Sequence, residues 1–494
     1  MNIIDIILLF LFLTSQFVLF LFGIHYFFVI RIYQKNREEY RKSEKIPIIN
    51  NYPKVTIQIP IYNEKFVIEN VISNLIQLEY PKEKLQLQIL DDSSDETVSL
   101  VRKIVAKLSD EGFNISHVVR THRTNYKAGA LNNGLISADG EYIAIFDADF
   151  MPNKEFLKET VPYFIKNENL GCIQTRWGHQ NPNESLLTKC VALGIDGHFI
   201  VEQNVRSTFK VINFNGTCGI WKKECILDSG GWDGRILAED LDLSYRAHIK
   251  GWDFKYLQNV VCLGEIPSDI FSFKQQQHRW AIGSVQSSRK NLYNVWQSDN
   301  FNLTQKIEST FHHFGYFIQF FMFTLFLSSI FLIEKQIFAI LSIGLLFALL
   351  AIAAPSMYII SALELGYSKL KTLYLIIFLT ILGAGLSYNT GLAAFNGLYK
   401  SEGEFKRTPK KGINRVGYLT SNNFNIIVEV FLGIIGLYGI YLTIMTGRYI
   451  VIPYITIFVL GFFWVAYLGI KHKISEINFL FKQRNQRREV LIQN

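Results

Sequence analysis

The sequence predicts a doubly wound α/β domain set between membrane-spanning helices. Three observations carry this. Apolar residues crowd into 3–30, 314–360, 373–395 and 426–470, whereas 46–303 has the mixed composition of a globular domain. Within 54–149, apolar runs of strand length alternate with segments of helical spacing. Basic residues gather beside the apolar segments.

The chain has 494 residues, 49% of them hydrophobic, and a mean hydropathy of +0.17. It is too long for one small domain and too apolar for an ordinary soluble protein. A bilayer-crossing helix needs about 20 apolar residues, and 3–30 supplies them. Asp5 lies near its start, and it has neither a basic lead nor a small-residue cleavage site, so it is expected to stay as an anchor. The formal net charge is +8. Nucleic acid is not needed to explain it, because the charge sits at the ends of apolar segments: Arg31, Lys35, Arg37 and Arg41 after the first, Lys406, Arg407, Lys410 and Lys411 before 426–470, and Lys471, Lys473 and Arg484 after it. This positive-inside pattern assigns 46–303, 400–415 and the tail to the cytoplasmic face. The five cysteines lie in the globular part, and their odd number and lack of C-x-x-C spacing argue against disulfides or zinc.

The expected order is a membrane helix over 1–30, a basic linker over 31–53, the domain over 54–305, and transmembrane and interfacial helices over 306–395. A cytosolic loop over 396–423, two further spans over 424–470 and a basic tail over 471–494 follow. No further domain is expected after Ile470. Two cytoplasmic segments require an even number of crossings between them, yet 314–333, 336–360 and 371–395 are three apolar segments. The last contains Gly383, Gly385, Ser387, Asn389, Thr390 and Gly391, so its second half is expected to lie in the interface. Five or six crossings result.

Strands are expected at 54–64, 85–97, 115–120 and 141–149, with helices at 65–78, 98–108 and 127–138. Alternation of this kind implies a parallel sheet, and ligands bind beyond the carboxyl ends of its strands. Asn63-Glu64, Asp91-Asp92 and Asp147-Asp149 all fall there. Ser93 and Glu96 have the spacing of a capping box, which leaves Asp91-Asp92 unexplained. Asp147 and Asp149, two apart on a strand, share a side. Two carboxylates held together repel unless a cation lies between them, and Mg2+ or Mn2+ bound with phosphate oxygens suits such a pair. Lys127, before the small residues Ala128 and Gly129 at a helix start, suits a phosphate. Glu239 and Asp240 open another helix, either as an acidic first turn or as a group that takes a proton from a hydroxyl. In "QQQHRW", Arg279 can grip a diphosphate and Trp280 can stack on a sugar. Taken alone, that stretch reads more simply as a membrane-boundary anchor.

The order "PIYNE", "DDSSD", "YKAGALNNG", "DAD", "AED" and "QQHRW" resembles the processive, inverting family 2 glycosyltransferases related to cellulose synthase. The segments "TRWGHQNPNESLLTK", "FNGTCGIWKKECILDSGGWDGRILAEDLDLSYRAHIKGW" and "FKRTPK" resemble its cellulose-synthase-like branch, which includes glucomannan (β-1,4-mannan) and xyloglucan-backbone glucan synthases. The resemblance covers nearly all of 54–283 plus 405–410. It implies a Rossmann-like GT-A catalytic domain and a divalent cation, Mg2+ or Mn2+, on Asp147 and Asp149. Asp91, Asp92, Lys127, Asp147, Arg279, Thr408 and Lys410 would bind the nucleotide sugar, UDP-glucose or GDP-mannose. Asp240 would be the catalytic base, and Trp280, Gln276 and Glu239 would meet the growing polysaccharide. The chain departs from the best-known cellulose synthases at Asn215-Gly216-Thr217, where a Cys-Gly pair is usual. Two other readings remain at this stage. A non-processive enzyme acting on a ceramide- or diacylglycerol-type lipid shares Asp-x-Asp and Q-x-x-R-W. A channel or receptor without catalysis would need neither Asp240 nor a metal pair.

Overall fold

The computed structural model describes residues 2–42, 45–335, 352–400 and 424–493. Thr408 and Lys410, the 405–410 motif and most of the expected 336–360 span lie outside these residues.

Helix α1 runs Ile3–Arg41 without a break, so the first part of the expected linker is helical. The domain then opens with β1 (Val55–Ile61), α2 (Ile68–Leu75), β2 (Leu85–Asp91), α3 (Thr97–Asp110), β3 (Ile115–Val119), α4 (Tyr126–Ile136) and β4 (Tyr142–Ile145). The apolar strands β1 and β2 are buried along almost their whole length, as expected for a sheet covered on both faces. Polar pairs support their register. Thr56 lies opposite Gln86 and donates to it at 2.7 Å, and Gln58 lies opposite Gln88 and donates to it at 3.1 Å. Buried polar groups need such partners, and slippage by one residue would strand them.

Beyond these come β5 (Leu170–His179), α5 (Leu186–Gly197), a π-helical turn at His198–Glu202, α6 (Gln203–Thr208), β6 (Gly219–Lys222), α7 (Glu239–Ile249) and β7 (Asp253–Gly264). The seven-stranded sheet has the order β3-β2-β1-β4-β6-β5-β7. Its first half is parallel, as expected, whereas β6 runs antiparallel to both β4 and β5. The tips of β1, β2 and β4 therefore converge on one edge, and the β6 neighbourhood closes the site from the other side.

The remaining helices are α8 (Ile270–Gln297), α9 (Leu303–Phe314), α10 (Phe317–Leu332), α11 (Ala353–Glu364), α12 (Lys369–Gly397), α13 (Phe424–Met445) and α14 (Ile452–Gln493). Among the described residues four helices, α1, α12, α13 and α14, are long and apolar enough to cross a membrane, and the α9–α10 pair, bent by 59°, would make five. The expected interfacial half of α12 is instead part of one 29-residue helix. The glycines that suggested a surface position serve helix contacts. A Cβ on Gly385 would stand 2.4 Å from the Gly461 carbonyl, and one on Gly391 would stand 2.7 Å from the Phe320 backbone. Small residues let apolar helices approach closely.

Buried charges fasten α1 to the domain. His25 meets Glu308 at 2.7 Å, Glu308 meets Arg206 at 3.3 Å, and Arg206 meets Glu202 at 3.5 Å. Glu202 holds His198 at 2.8 Å, and His198 holds Asn215 at 3.1 Å. Arg41 adds a contact to Glu364 at 2.8 Å. Removing one partner of a buried pair leaves an uncompensated charge, at a cost of about 3–5 kcal/mol. Glu308→Ala should therefore lower thermal stability in detergent by an amount of that order, read from the melting curve. A loss under about 1 kcal/mol, the range of an exposed pair, would contradict this role.

Candidate functional site

One cleft opens at the carboxyl edge of the sheet. It is lined by Tyr62 and Glu64 after β1, Asp92 after β2, Lys127 on α4, and Asp147 and Asp149 after β4. Gly216, Glu239 and Asp240 line its opposite wall, and Gln276, Arg279 and Trp280 of α8 close it. Residues scattered over more than 200 positions in sequence thus share one cavity, and α8 brings "QQHRW" to the cleft rather than leaving it as a boundary anchor.

The acidic wall is built at the start of α7. Asp240 Oδ1 accepts the Leu241 amide at 2.8 Å. Its other oxygen faces Gly216, where a Cβ would stand 2.9 Å away. Gly216 has φ +81°, a conformation that glycine adopts without penalty. Burial, with Asp240 beside it, pushes the Glu239 carboxyl up to about 7. Burial also raises Asp240, against the pull of Lys127 and Arg279. Two adjacent carboxylates in a dry wall do not ionise independently.

Lys127 is the counterweight. Its ammonium donates to Asp147 Oδ1 at 2.6 Å and to the Gly216 carbonyl at 2.7 Å. Burial alone would lower its pKa, but Asp147, Glu239 and Asp240 together raise it, so the lysine stays charged. Its helix begins at Tyr126, which like Asn125 before it has a positive φ.

The acidic motif after β2 divides. Asp91 is fully buried, with Oδ1 accepting the Ser93 amide at 2.8 Å and Oδ2 on His117 at 2.8 Å. It is not among the cleft-lining residues. At the last residue of β2, its carboxylate is taken up by Ser93 and by His117 of β3. Asp92 does line the cleft, gripped by Arg120 at 2.9 Å. The expected capping box does not form. Ser93 Oγ instead accepts the Asn63 amide at 2.8 Å, and α3 starts at Thr97 without a side-chain cap.

Asp147 and Asp149 sit beyond the end of β4, in the loop rather than on the strand. Asp147 is partly exposed, whereas Asp149 is buried. No cluster of three or more His, Cys, Asp or Glu suited to a metal forms among the described residues. Two carboxylates fit a Mg2+ or Mn2+ that arrives with diphosphate oxygens and water, not a cage built wholly of protein. On α8, Gln276 Oε1 is buried without a hydrogen-bond partner among the described residues, and Trp280 lines the cleft beside Arg279.

Other cleft residues escaped the sequence reading. Arg123 lies over the Tyr62 ring at 3.5 Å, and both line the cleft with Trp177 and His179. The basic run "THRTNYK" was the available signal for Arg123. Trp177 and His179 lie in the segment "TRWGHQNPNESLLTK", which carried the resemblance without marking either as a cleft residue.

A mixed α/β sheet with a phosphate-suited lysine, an arginine and paired carboxylates at its carboxyl edge is an arrangement of the GT-A kind. Residues 53–283 match the family described as "Glycosyltransferase like family 2". Among curated proteins, glucomannan 4-beta-mannosyltransferase 9 of Arabidopsis thaliana is 39% identical over 268 residues, covering 53% of this chain and 50% of the relative. Glucomannan 4-beta-mannosyltransferase 1 of Oryza sativa subsp. japonica is 38% identical, covering 53% and 51%. The chain thus spans about half the length of the curated relatives it matches. A mannosyltransferase of Pyrobaculum calidifontis, solved with GDP-Man and Mn2+, shares the fold at a TM-score of 0.56 and 20% identity, covering 81% of this chain and 99% of that one.

Two outcomes test this geometry. Gly216→Ala should reduce sugar transfer roughly 100-fold, the order of loss expected when reacting groups move by about 1 Å, with the protein still folded by circular dichroism. The second concerns pH. Glu239 has a raised pKa when folded, so its contribution to stability is full below the ordinary glutamate value and fades as pH rises through about 7. The melting temperature of the unliganded protein should therefore fall between pH 5 and 8, and Glu239→Gln should flatten that slope.

Proposed function

We propose that the protein is a membrane-embedded, inverting hexosyltransferase that polymerises a β-linked, 4-linked hexose chain from GDP-mannose and passes it across the membrane. The observation that carries this reading is the carboxylate pair of buried Glu239 and half-buried Asp240, opposite Lys127 and Arg279 in a cleft closed by Trp280. The names of the curated relatives support a mannosyl donor over UDP-glucose, and the long apolar helices support a membrane route for the product.

Asp240 is the base. An acceptor hydroxyl hands its proton to the Asp240 carboxylate as its oxygen bonds to the donor's anomeric carbon. The bond from that carbon to the diphosphate breaks, and the nucleoside diphosphate leaves from the opposite face. Burial raises Asp240, which makes its carboxylate a stronger base. Lys127 and Arg279 face the charge that grows on the diphosphate. Asp92 with Arg123 and Tyr62 serves the nucleoside end, and Gln276, Trp280 and Glu239 serve the chain end. Thr408 and Lys410 are assigned to the donor from sequence. Asp147 and Asp149 would hold Mg2+ or Mn2+, which supplies screening of the diphosphate charge when bound. The domain, 400–415 and the tail are assigned to the cytoplasmic face.

The test uses purified protein in nanodiscs with Mn2+ and radiolabelled GDP-mannose or UDP-glucose, followed by linkage-specific digestion. Mannose should enter a polymer cut by a β-1,4-mannan hydrolase, and Asp240→Asn should abolish incorporation while GDP binding persists. Label found only in lipid, or loss of GDP binding with loss of transfer, would overturn the reading.

A further inference from the structure

The helix that presents Gln276, Arg279 and Trp280 also carries Lys274, which the reaction does not use. The Lys274 side chain is 4% exposed, and its ammonium is paired with Glu429 of α13, itself 2% exposed. Glu429 is the one charged residue in α13, and its Oε2 has no hydrogen-bond partner among the described residues. The surrounding elements hold the same turn. Asn389 of α12 donates to the Lys274 carbonyl at 3.2 Å. Phe271, three residues earlier, stands edge-on to His472 of α14, with ring centroids 5.3 Å apart, and Lys473 lies 5.6 Å from the Phe271 ring.

Stability does not explain this pair. Desolvating two charges offsets their attraction, and well-packed apolar residues would hold the helices at least as firmly. A lone ionisable residue in an apolar helix is a functional candidate for the same reason. What an ion pair adds over an apolar contact is direction. It resists sliding of one helix along another, and one residue of slip moves a helix by about 1.5 Å.

We propose that the Lys274–Glu429 pair is a positioning contact, fixing the axial register of α8 against α13 and so the placement of Arg279 and Trp280 in the cleft. The inference rests on the reading of those two residues as donor and acceptor contacts. Neither Lys274 nor Glu429 touches substrate. The pair acts through Arg279, whose displacement weakens the grip on the diphosphate.

The test compares Lys274→Met/Glu429→Leu and Glu429→Gln with wild type in nanodiscs, measuring melting temperature, GDP binding in the presence of Mn2+, and the KM and kcat of transfer. The expected result is a melting temperature near that of wild type with donor KM and GDP Kd raised roughly tenfold, a loss of about 1.4 kcal/mol. Lys274→Arg, which keeps the pair, should recover most of the affinity. A merely structural role would lower the active fraction, and with it kcat, and leave KM and Kd unchanged; that result overturns the proposal. If the double variant does not fold, Glu429→Gln, which keeps the shape of the side chain, decides between the same two outcomes. A wild type that neither binds GDP nor transfers sugar overturns the reading of the cleft and this inference with it.

Discussion

The site depends on one electrostatic constraint: Lys127 must offset three carboxylates from two separate segments. Asp147 comes from the β4 loop, and Glu239 and Asp240 come from the start of α7. Burial drives both α7 acids toward their neutral forms, and the lysine and Arg279 pull them back. Gly216 completes the arrangement. Its carbonyl holds the ammonium and its missing side chain leaves room for Asp240. The Asn-Gly-Thr turn is therefore part of the charge arrangement as well as a connection into β6.

The apolar helices are coupled to this chemistry through polar contacts of low exposure. The ladder from His25 through Glu308, Arg206, Glu202 and His198 ends on Asn215, the residue before Gly216. The Lys274–Glu429 pair does the same for α8. In both cases an apolar contact would hold the elements together, and a charged one also sets how they align. On the proposed function the cleft holds a donor and a chain end in line, and that needs the second property.

Much of this was legible in the sequence because the chemistry-bearing motifs sit flush against apolar runs. Asp147 and Asp149 follow "YIAIF", the pair Asp91-Asp92 follows "LQLQIL", and Glu239-Asp240 opens a helix. Such edges mark the carboxyl rim of a sheet. What was not legible depends on contacts between distant residues. Asp91 and Asp92 are adjacent, yet one residue of strand alternation sends the first to His117 and the second to the cleft. The four-residue strand β6 carries too little pattern to reveal that it runs antiparallel between β4 and β5. Gly385 and Gly391 looked like polar-surface residues because composition cannot distinguish a helix facing water from one facing another backbone. The pairing of His25 with Glu308 spans 283 residues and leaves no local trace.

The central claim is that a single carboxylate, Asp240, activates the acceptor for one direct displacement. The most direct measurement is the anomeric configuration of the new bond, read by NMR on product made from an α-linked nucleotide sugar. One displacement inverts that centre, so the account predicts a β-linkage. An α-linkage would mean retention, by two displacements or by attack from the leaving-group face, and would contradict it.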